Sequence, residues 1–312
     1  MTKKLAMMFV AIMTLAVLLS GCGLSPSTGG TNTSSTPGSN MPIIVGSKSF
    51  TENILIGDMM YDLLKVKIPG ANIQNKSNLG GTMVPWNALQ SGQIDMYCEY
   101  TGTGLVSILK LPVTQNPDEA YQTVKTQYPT KFHIDWMQPI GFNDTYAVAV
   151  PQAIATQYNL KTISDLAAVA SKLTFGAEPE YYTRPDGYAG LTGAYGLKFA
   201  AKKELNVGLK YEAVASNQVQ VIDVFSTDGA LIKYNMVVLK DDKSFFPPYY
   251  AAPIVREDLL KAYPQIPAIL NALAGKLDDV SMQKLNYQVD VQKQSDTVVA
   301  KQFLVSVGLL SA

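Results

Sequence analysis

From residue 42 to residue 312 the sequence alternates short apolar runs with stretches of helical spacing, over more residues than one compact core usually holds. That rhythm confines the chain to an α/β architecture, and its length favours two lobes over one. The first lobe is read as residues 42–147 plus 243–312 and the second as residues 148–242, so the chain crosses the waist twice. Two crossings imply a hinge, and a cleft between lobes is where ligands most often sit.

Within the first lobe an apolar strand over 43–45 leads into a helix expected over 49–65, with Leu55, Met59 and Leu63 on one face and Ile56, Met60 and Leu64 beside them. A strand over 73–75, a Gly80-Gly81-Thr82 turn, a helix over 84–90, a buried strand over 94–100, a helical stretch from Leu105 and a helix over 118–127 follow. The second lobe is expected to run through a strand at 146–150 stopped by Pro151, a helix opened by Ser164-Asp165-Leu166 and a strand at 173–176. A helix over 188–205, a strand at 209–214, a short helix from Asn217 and a strand over 229–239 complete it. After Pro247-Pro248, helices over 256–263, 267–273, 281–290 and 296–308 are expected to pack back on the first lobe.

The start of the chain bears on location. Lys3 and Lys4 precede an apolar run from Leu5 to Leu19 that is short for a membrane span and reads as a signal peptide over residues 1–21. It ends in Leu19-Ser20-Gly21-Cys22, which resembles the bacterial lipobox, whose cysteine is acylated and becomes the first mature residue. The Ser, Thr, Gly, Pro and Asn composition of 22–41 suits a flexible tether. The folded part is therefore expected outside the cytoplasm, anchored by an N-terminal lipid. With Cys22 acylated, Cys98 is the remaining thiol, so neither an internal disulfide nor a cysteine-rich metal site is expected. Without Lys3 and Lys4, the 25 basic residues fall to 23 against 25 acidic ones, a balance that points away from nucleic acid and from a polybasic membrane patch.

Catalysis finds little support. The single histidine, His133, has no serine or cysteine motif beside it, and no P-loop, G-x-S-x-G or H-E-x-x-H occurs. Ser107-x-x-Lys110 matches a serine-lysine pattern in letters alone, and Thr101-Gly102-Thr103-Gly104 lacks dinucleotide-loop spacing. Binding is better supported. Ser49 with Glu52 fits a capping box, which puts Lys48 just outside a helix start, where free N–H groups and an ammonium together would hold a carboxylate. The alternative there is a capped helix with a solvated lysine. Tyr100, Tyr146, Phe225 and Tyr249 fall at the ends of predicted strands, where an α/β lobe presents side chains to a cleft. Together they suggest an aromatic cage for a quaternary ammonium, each favourable contact contributing about 0.5–2 kcal/mol. Singly, each is more often core or rim.

The runs from Gly46 to Asn53, Gly80 to Thr82, Glu99 to Thr103, Asn143 to Tyr146, Arg184 to Gly187, Phe225 to Gly229 and Phe246 to Tyr249 resemble the glycine betaine/choline/carnitine family of ABC-transporter substrate-binding proteins. The resemblance implies a two-lobed α/β fold of the type II periplasmic-binding-protein kind, no cofactor, and a monomer that passes its ligand to a membrane permease driven by a cytoplasmic ATPase. Carried over by position, it implies that Tyr100, Tyr146, Phe225 and Tyr249 surround a trimethylammonium near the Asp144 carbonyl. It assigns the ligand carboxylate to Lys48, Thr103 and Arg184. Phe225 stands where many relatives have tyrosine, and Met83 occupies a position that helps choose between choline and betaines; a thioether there accepts poorly from a hydroxyl and tilts the expectation toward a zwitterion.

The expected function is thus capture of glycine betaine or a related betaine, with a choline- or carnitine-preferring protein as the alternative. Two other classes stay open on the residues themselves: an extracytoplasmic enzyme on a small amine using Asp144, Asp228 or His133, and a lipid-anchored adhesion or sensor domain.

Overall fold

The computed structural model describes residues 41–311, so the expected leader, the acylation site at Cys22 and all of the tether but Met41 lie outside the described residues. In chain order the strands are β1 (Ile43–Gly46), β2 (Ile73–Lys76), β3 (Met96–Tyr100), β4 (Ile134–Trp136), β5 (Tyr146–Pro151), β6 (Thr174–Ala177), β7 (Ala201–Glu204), β8 (Val221–Phe225), β9 (Met236–Leu239) and β10 (Ala251–Arg256). The α-helices are α1 (Thr51–Lys67), α2 (Met83–Gln90), α3 (Pro117–Phe132), α4 (Gln152–Tyr158), α5 (Pro179–Thr183), α6 (Tyr188–Tyr195), α7 (Lys210–Ala215), α8 (Ala230–Lys233), α9 (Glu257–Ala262), α10 (Ile266–Asn271), α11 (Asp279–Asp290) and α12 (Asp296–Ser306).

The strands form two five-stranded sheets, ordered β2-β1-β3-β10-β4 and β7-β6-β8-β5-β9. Each has a parallel trio at one side and one antiparallel strand inserted next to last: β10 runs against β3 and β4, and β5 runs against β8 and β9. The chain passes from the first sheet to the second between β4 and β5 and returns between β9 and β10. The two crossings touch, because Asn143 bridges Tyr250 in antiparallel fashion. Strand β5 begins at Tyr146, inside the stretch that the sequence had assigned to the first lobe.

Helix α1 is the spine of the first lobe. Its two adjacent apolar rows, Leu55-Met59-Leu63 and Ile56-Met60-Leu64, are all buried, and each such side chain contributes about 1.5–3 kcal/mol when fully removed from water. The rows pack against α10, α11 and α12, so the C-terminal helices return to the helix that opens the lobe. Helix α3, expected from residue 118, starts one residue earlier at Pro117: the missing proline N–H costs nothing there, and Asn116 Oδ1 caps the Asp118 and Glu119 N–H groups at 3.0 and 3.3 Å.

Local pattern misled in the second lobe. The helix expected over 188–205 stops at Tyr195, where Gly196 takes a left-handed φ of 68°, and Ala201–Glu204 forms the exposed edge strand β7. Its Ala-Lys-Lys-Glu sequence favours a helix, and only parallel pairing with β6 makes it a strand. The strand expected at 209–214 is helix α7, which buries Lys210, Tyr211, Ala213 and Val214 on one side. The short helix expected from Asn217 is a turn into β8, and the strand expected over 229–239 is α8 followed by β9. Strands β4, β8 and β10 were not anticipated.

Candidate functional site

The parallel strands aim their carboxyl ends at one place, and the side chains just beyond those ends line a cavity of ≈ 500 Å³. Lys48 follows β1, Tyr100 closes β3, Thr103 opens the π-helical turn after it, and Glu178 follows β6. Phe225 closes β8 and faces Tyr146 in register across the β5–β8 ladder, so the pairing itself sets their rings 4.9 Å apart. Tyr249 precedes β10 and meets the Tyr146 ring edge-on at 5.5 Å.

The four aromatic residues expected from sequence therefore share one wall, and a fifth ring joins them. Phe50, the N-cap of α1, stacks on Phe225 at 5.2 Å and on Tyr100 at 6.0 Å. Sequence reasoning passed over it, although an aromatic residue at a helix start, ahead of the apolar rows, is the available signal. Asp144 also lines the cavity, and its N–H donates to the Tyr249 carbonyl at 3.0 Å.

Lys48, Thr103 and Arg184 all line the cavity, but the two cations are not free. Lys48 Nζ lies 2.6 Å from Glu99 Oε1 and 2.9 Å from Thr82 Oγ1. Arg184 grips Asp186 with Nε and Nη2 at 2.9 and 2.7 Å, the two-pronged geometry that makes arginine–carboxylate pairs strong. Its remaining nitrogen, Nη1, donates to Thr103 Oγ1 and to Glu180 Oε1, each at 3.2 Å. The guanidinium also lies over the Tyr146 ring at 5.0 Å and the Tyr249 ring at 5.8 Å, and the Tyr249 hydroxyl bonds to Asp186.

Two expectations are corrected. The capping box does not form: α1 starts at Thr51 rather than Ser49, its N-cap has no side-chain bond, and the Ser49 N–H donates to the Gly80 carbonyl at 2.9 Å. Glu52 turns inward instead, where its buried carboxyl accepts from the Tyr100 and Thr227 hydroxyls. Met83 is half exposed and absent from the cavity wall, since α2 turns it to solvent; its neighbour Thr82 is the residue that reaches inward.

Behind Phe225 sits a buried triad that the sequence did not reveal. Lys210 Nζ lies 2.9 Å from Glu178 Oε2, 2.8 Å from Asp223 Oδ2 and 5.2 Å from the centre of the Phe225 ring. Burial pushes the Glu178 carboxyl up, but the Lys210 ammonium together with hydrogen bonds from Asp223 and Lys210 outweighs it and leaves the group at about 2. Burial and the Glu178 charge drive Asp223 well above the carboxylate range. The Tyr146 hydroxyl lies 3.1 Å from Glu178 Oε1, so the triad fixes that ring as well. His133, by contrast, is an exposed residue near Glu257 with no place in the cavity.

Contacts across the cleft hold the lobes closed: Phe50 on Phe225, Thr103 with Arg184, Tyr249 with Asp186, and Glu180 Oε2 with the Thr82 N–H at 2.8 Å. Two α/β lobes closed on an aromatic, internally charge-paired cavity define a solute-binding protein. The model for the substrate binding domain of the ABC-type glycine betaine transport system matches residues 41–306. The chain belongs to that family.

Among its relatives, the ergothioneine transport permease/ergothioneine binding protein EgtU of Helicobacter pylori is 40% identical over 270 residues, 86% of this chain and 48% of that protein. The chain thus spans about half the length of that relative. The carnitine transport binding protein OpuCC of Listeria monocytogenes is 35% identical over 304 residues, 97% of this chain and 96% of the relative. The crystal structure of a glycine betaine/carnitine/choline ABC transporter protein superposes with a TM-score of 0.70 at 32% identity, covering 86% of this chain and 99% of the other.

Proposed function

We propose that the chain captures a trimethylammonium zwitterion outside the cytoplasm and hands it to an ABC permease, acting as a binding protein and not as an enzyme. The observation that carries this reading is the continuous ring wall Tyr100-Phe50-Phe225-Tyr146-Tyr249 around one cavity. Aromatic faces attract a cation that has no N–H to offer a carboxylate. The ligand carboxylate would take the Arg184 Nη1 and Thr103 hydroxyl, with Lys48 nearby; these roles follow the family pattern and the shared cavity. On this reading the lobes, residues 42–147 plus 243–312 and residues 148–242, open and close about the paired crossings at Asn143 and Tyr250. A lipid on Cys22 would tether a monomer to the membrane, and no described helix is long and apolar enough to cross one.

Glycine betaine, carnitine and proline betaine are the first candidates. Ergothioneine, a larger betaine carrying a sulfur-bearing ring, is favoured as a second reading by the 40% identity to EgtU and by a cavity of ≈ 500 Å³, roomy for the smallest betaine. Calorimetric titration of the purified chain with glycine betaine, carnitine, ergothioneine and choline decides among them. Choline binding tighter than every betaine would remove the carboxylate role, and enzymatic conversion of the bound ligand would overturn the assignment as a binding protein.

A further inference from the structure

Thr227 Oγ1 lies 2.5 Å from Glu52 Oε2 and 2.6 Å from Asp144 Oδ1. A hydroxyl carries one proton, and an ionised carboxylate has none to give. Two carboxylates and one hydroxyl at these separations therefore lack a proton for one of the two contacts, unless one acid is neutral. The remaining neighbours do not supply it. Tyr100 donates its hydroxyl to Glu52 Oε1 at 2.8 Å, and Asn286 Nδ2 approaches Glu52 Oε2 at 3.3 Å while donating to the Thr227 carbonyl at 3.0 Å.

We propose that the closed cleft stores one proton on the Glu52–Asp144 pair and that this proton fastens Thr227 of the second sheet's lobe to α1 of the first. Ligand capture is then coupled to proton uptake, and Glu52 acts as a positioning residue for the Tyr100 ring that it holds by the hydroxyl. The inference rests on the proposed capture function, because closure is where the pair meets Thr227.

The charged surroundings agree. Glu52, Asp144 and Thr227 are buried. From α1, β3, the crossing before β5, the segment after β8, and α11, the groups that face the pair are Tyr100, Thr227, Asn286, the Cys98 thiol and the acid Asp228. Asp290 and the ammonium groups of Lys233 and Lys293 line the adjoining cavity, and the side chains that hydrogen-bond the pair, Thr227, Tyr100 and Asn286, are all neutral. Asp228 itself is tied to Tyr211 at 2.7 Å and lies in the field of Lys210. Burial raises the Glu52 carboxyl to about 7, against the hydrogen bonds from Thr227 and Tyr100 that lower it, and burial with the Glu52 charge pushes Asp144 well up. A cavity of ≈ 290 Å³ bordered by Glu52, Asp144, Thr227 and Asp290 gives the pair a side separate from most of the ligand wall.

The sign follows. Opening takes Thr227 away and admits water to the pair, which moves the Glu52 carboxyl from about 7 toward its ordinary 4.5, so closure takes up a proton between those values. Affinity is greatest at the acid end and falls as pH rises, by up to about tenfold per unit, levelling near 7. Glycine betaine, carnitine, ergothioneine and choline are titrated into the full chain at pH 5, 6, 7 and 8 in buffers of different ionisation enthalpy. Expected is uptake of close to one proton in the acid half of that range, with weakening on going from pH 5 to 7. Glu52→Gln places a permanent donor where the proton sits and is expected to abolish both the uptake and the slope, while Glu52→Ala weakens binding at every pH. A flat wild-type profile, or an unchanged slope in Glu52→Gln, overturns the proposal. If no probe binds, the capture function fails, and the proton is read instead from the melting temperature of the ligand-free chain. That temperature must fall from pH 5 to 7 in the wild type more than in Glu52→Gln, and equal falls reject it.

Discussion

Glu180 reaches across the cleft to Thr82: its Oε2 accepts the Thr82 N–H at 2.8 Å while Oε1 meets Arg184 Nη1 at 3.2 Å. A carboxylate from the protein thus sits in the anion slot that a ligand carboxylate would need. The approach depends on Gly81, where a Cβ would stand 2.8 Å from Glu180 Oε2. With Lys48 matched by Glu99 and Arg184 by Asp186, Glu180 leaves this end of the cavity with a surplus negative charge. Glu180→Gln should strengthen a betaine relative to choline by about 1–2 kcal/mol, a fraction of the bare interaction of like charges a few ångströms apart. Calorimetry of both ligands on both proteins checks the ratio; an unchanged ratio would mean that Glu180 withdraws when ligand enters.

Arg184 serves two masters. Arg184→Ala should weaken a betaine by at least about 2 kcal/mol and choline much less, while also lowering the melting temperature, because Asp186 is left buried without its partner at a cost of about 3–5 kcal/mol. The double variant Arg184→Ala with Asp186→Asn should recover most of the melting temperature and none of the betaine preference. Equal losses for betaine and choline would reduce Arg184 to a structural residue.

Phe50 closes the ring wall. Removing it with Phe50→Ala opens the partition between the two cavities and should weaken every trimethylammonium ligand alike, by about 1–2 kcal/mol, since only a cation-facing surface is lost. Phe50→Tyr should retain most of the binding. A change confined to carboxylate-bearing ligands would contradict the cage role.

Lys210 is the buried counterion of Glu178 and also donates a hydrogen bond to Asp223. Lys210→Met strands those carboxyls and should cost about 3–5 kcal/mol of stability, read by chemical denaturation. Adding Asp223→Asn should restore part of it, and simple additivity of the two changes would deny the coupling.

Legibility differed between the lobes for a physical reason. The first lobe's α1 has an apolar row every third or fourth residue because it is packed on several sides, so its period was plain. The second lobe's β7 and α7 are short, and one is an exposed edge, so their identity came from pairing and burial that no window of ten residues contains. The same holds at the site. Tyr100 and Tyr146 were legible at the ends of expected strands, and Phe225 and Tyr249 from the turn motifs beside them, since both mark where an α/β lobe faces its cleft. Which charges pair with which was not.

The sequence by itself determined the α/β alternation, the doubled architecture, the family and the aromatic residues that share a wall, since each rests on local period or on contiguous motifs. Only the tertiary structure decided that Glu99 claims Lys48, that Asp186 and Glu180 share Arg184, and that Thr227 stands between Glu52 and Asp144. Glu52 and Thr227 are 175 residues apart and Lys48 and Glu99 are 51 apart. Asp186 and Glu180 are only two and four residues from Arg184, but a buried charge takes whichever partner the closed fold brings within hydrogen-bonding distance, and nearness in sequence alone does not choose it.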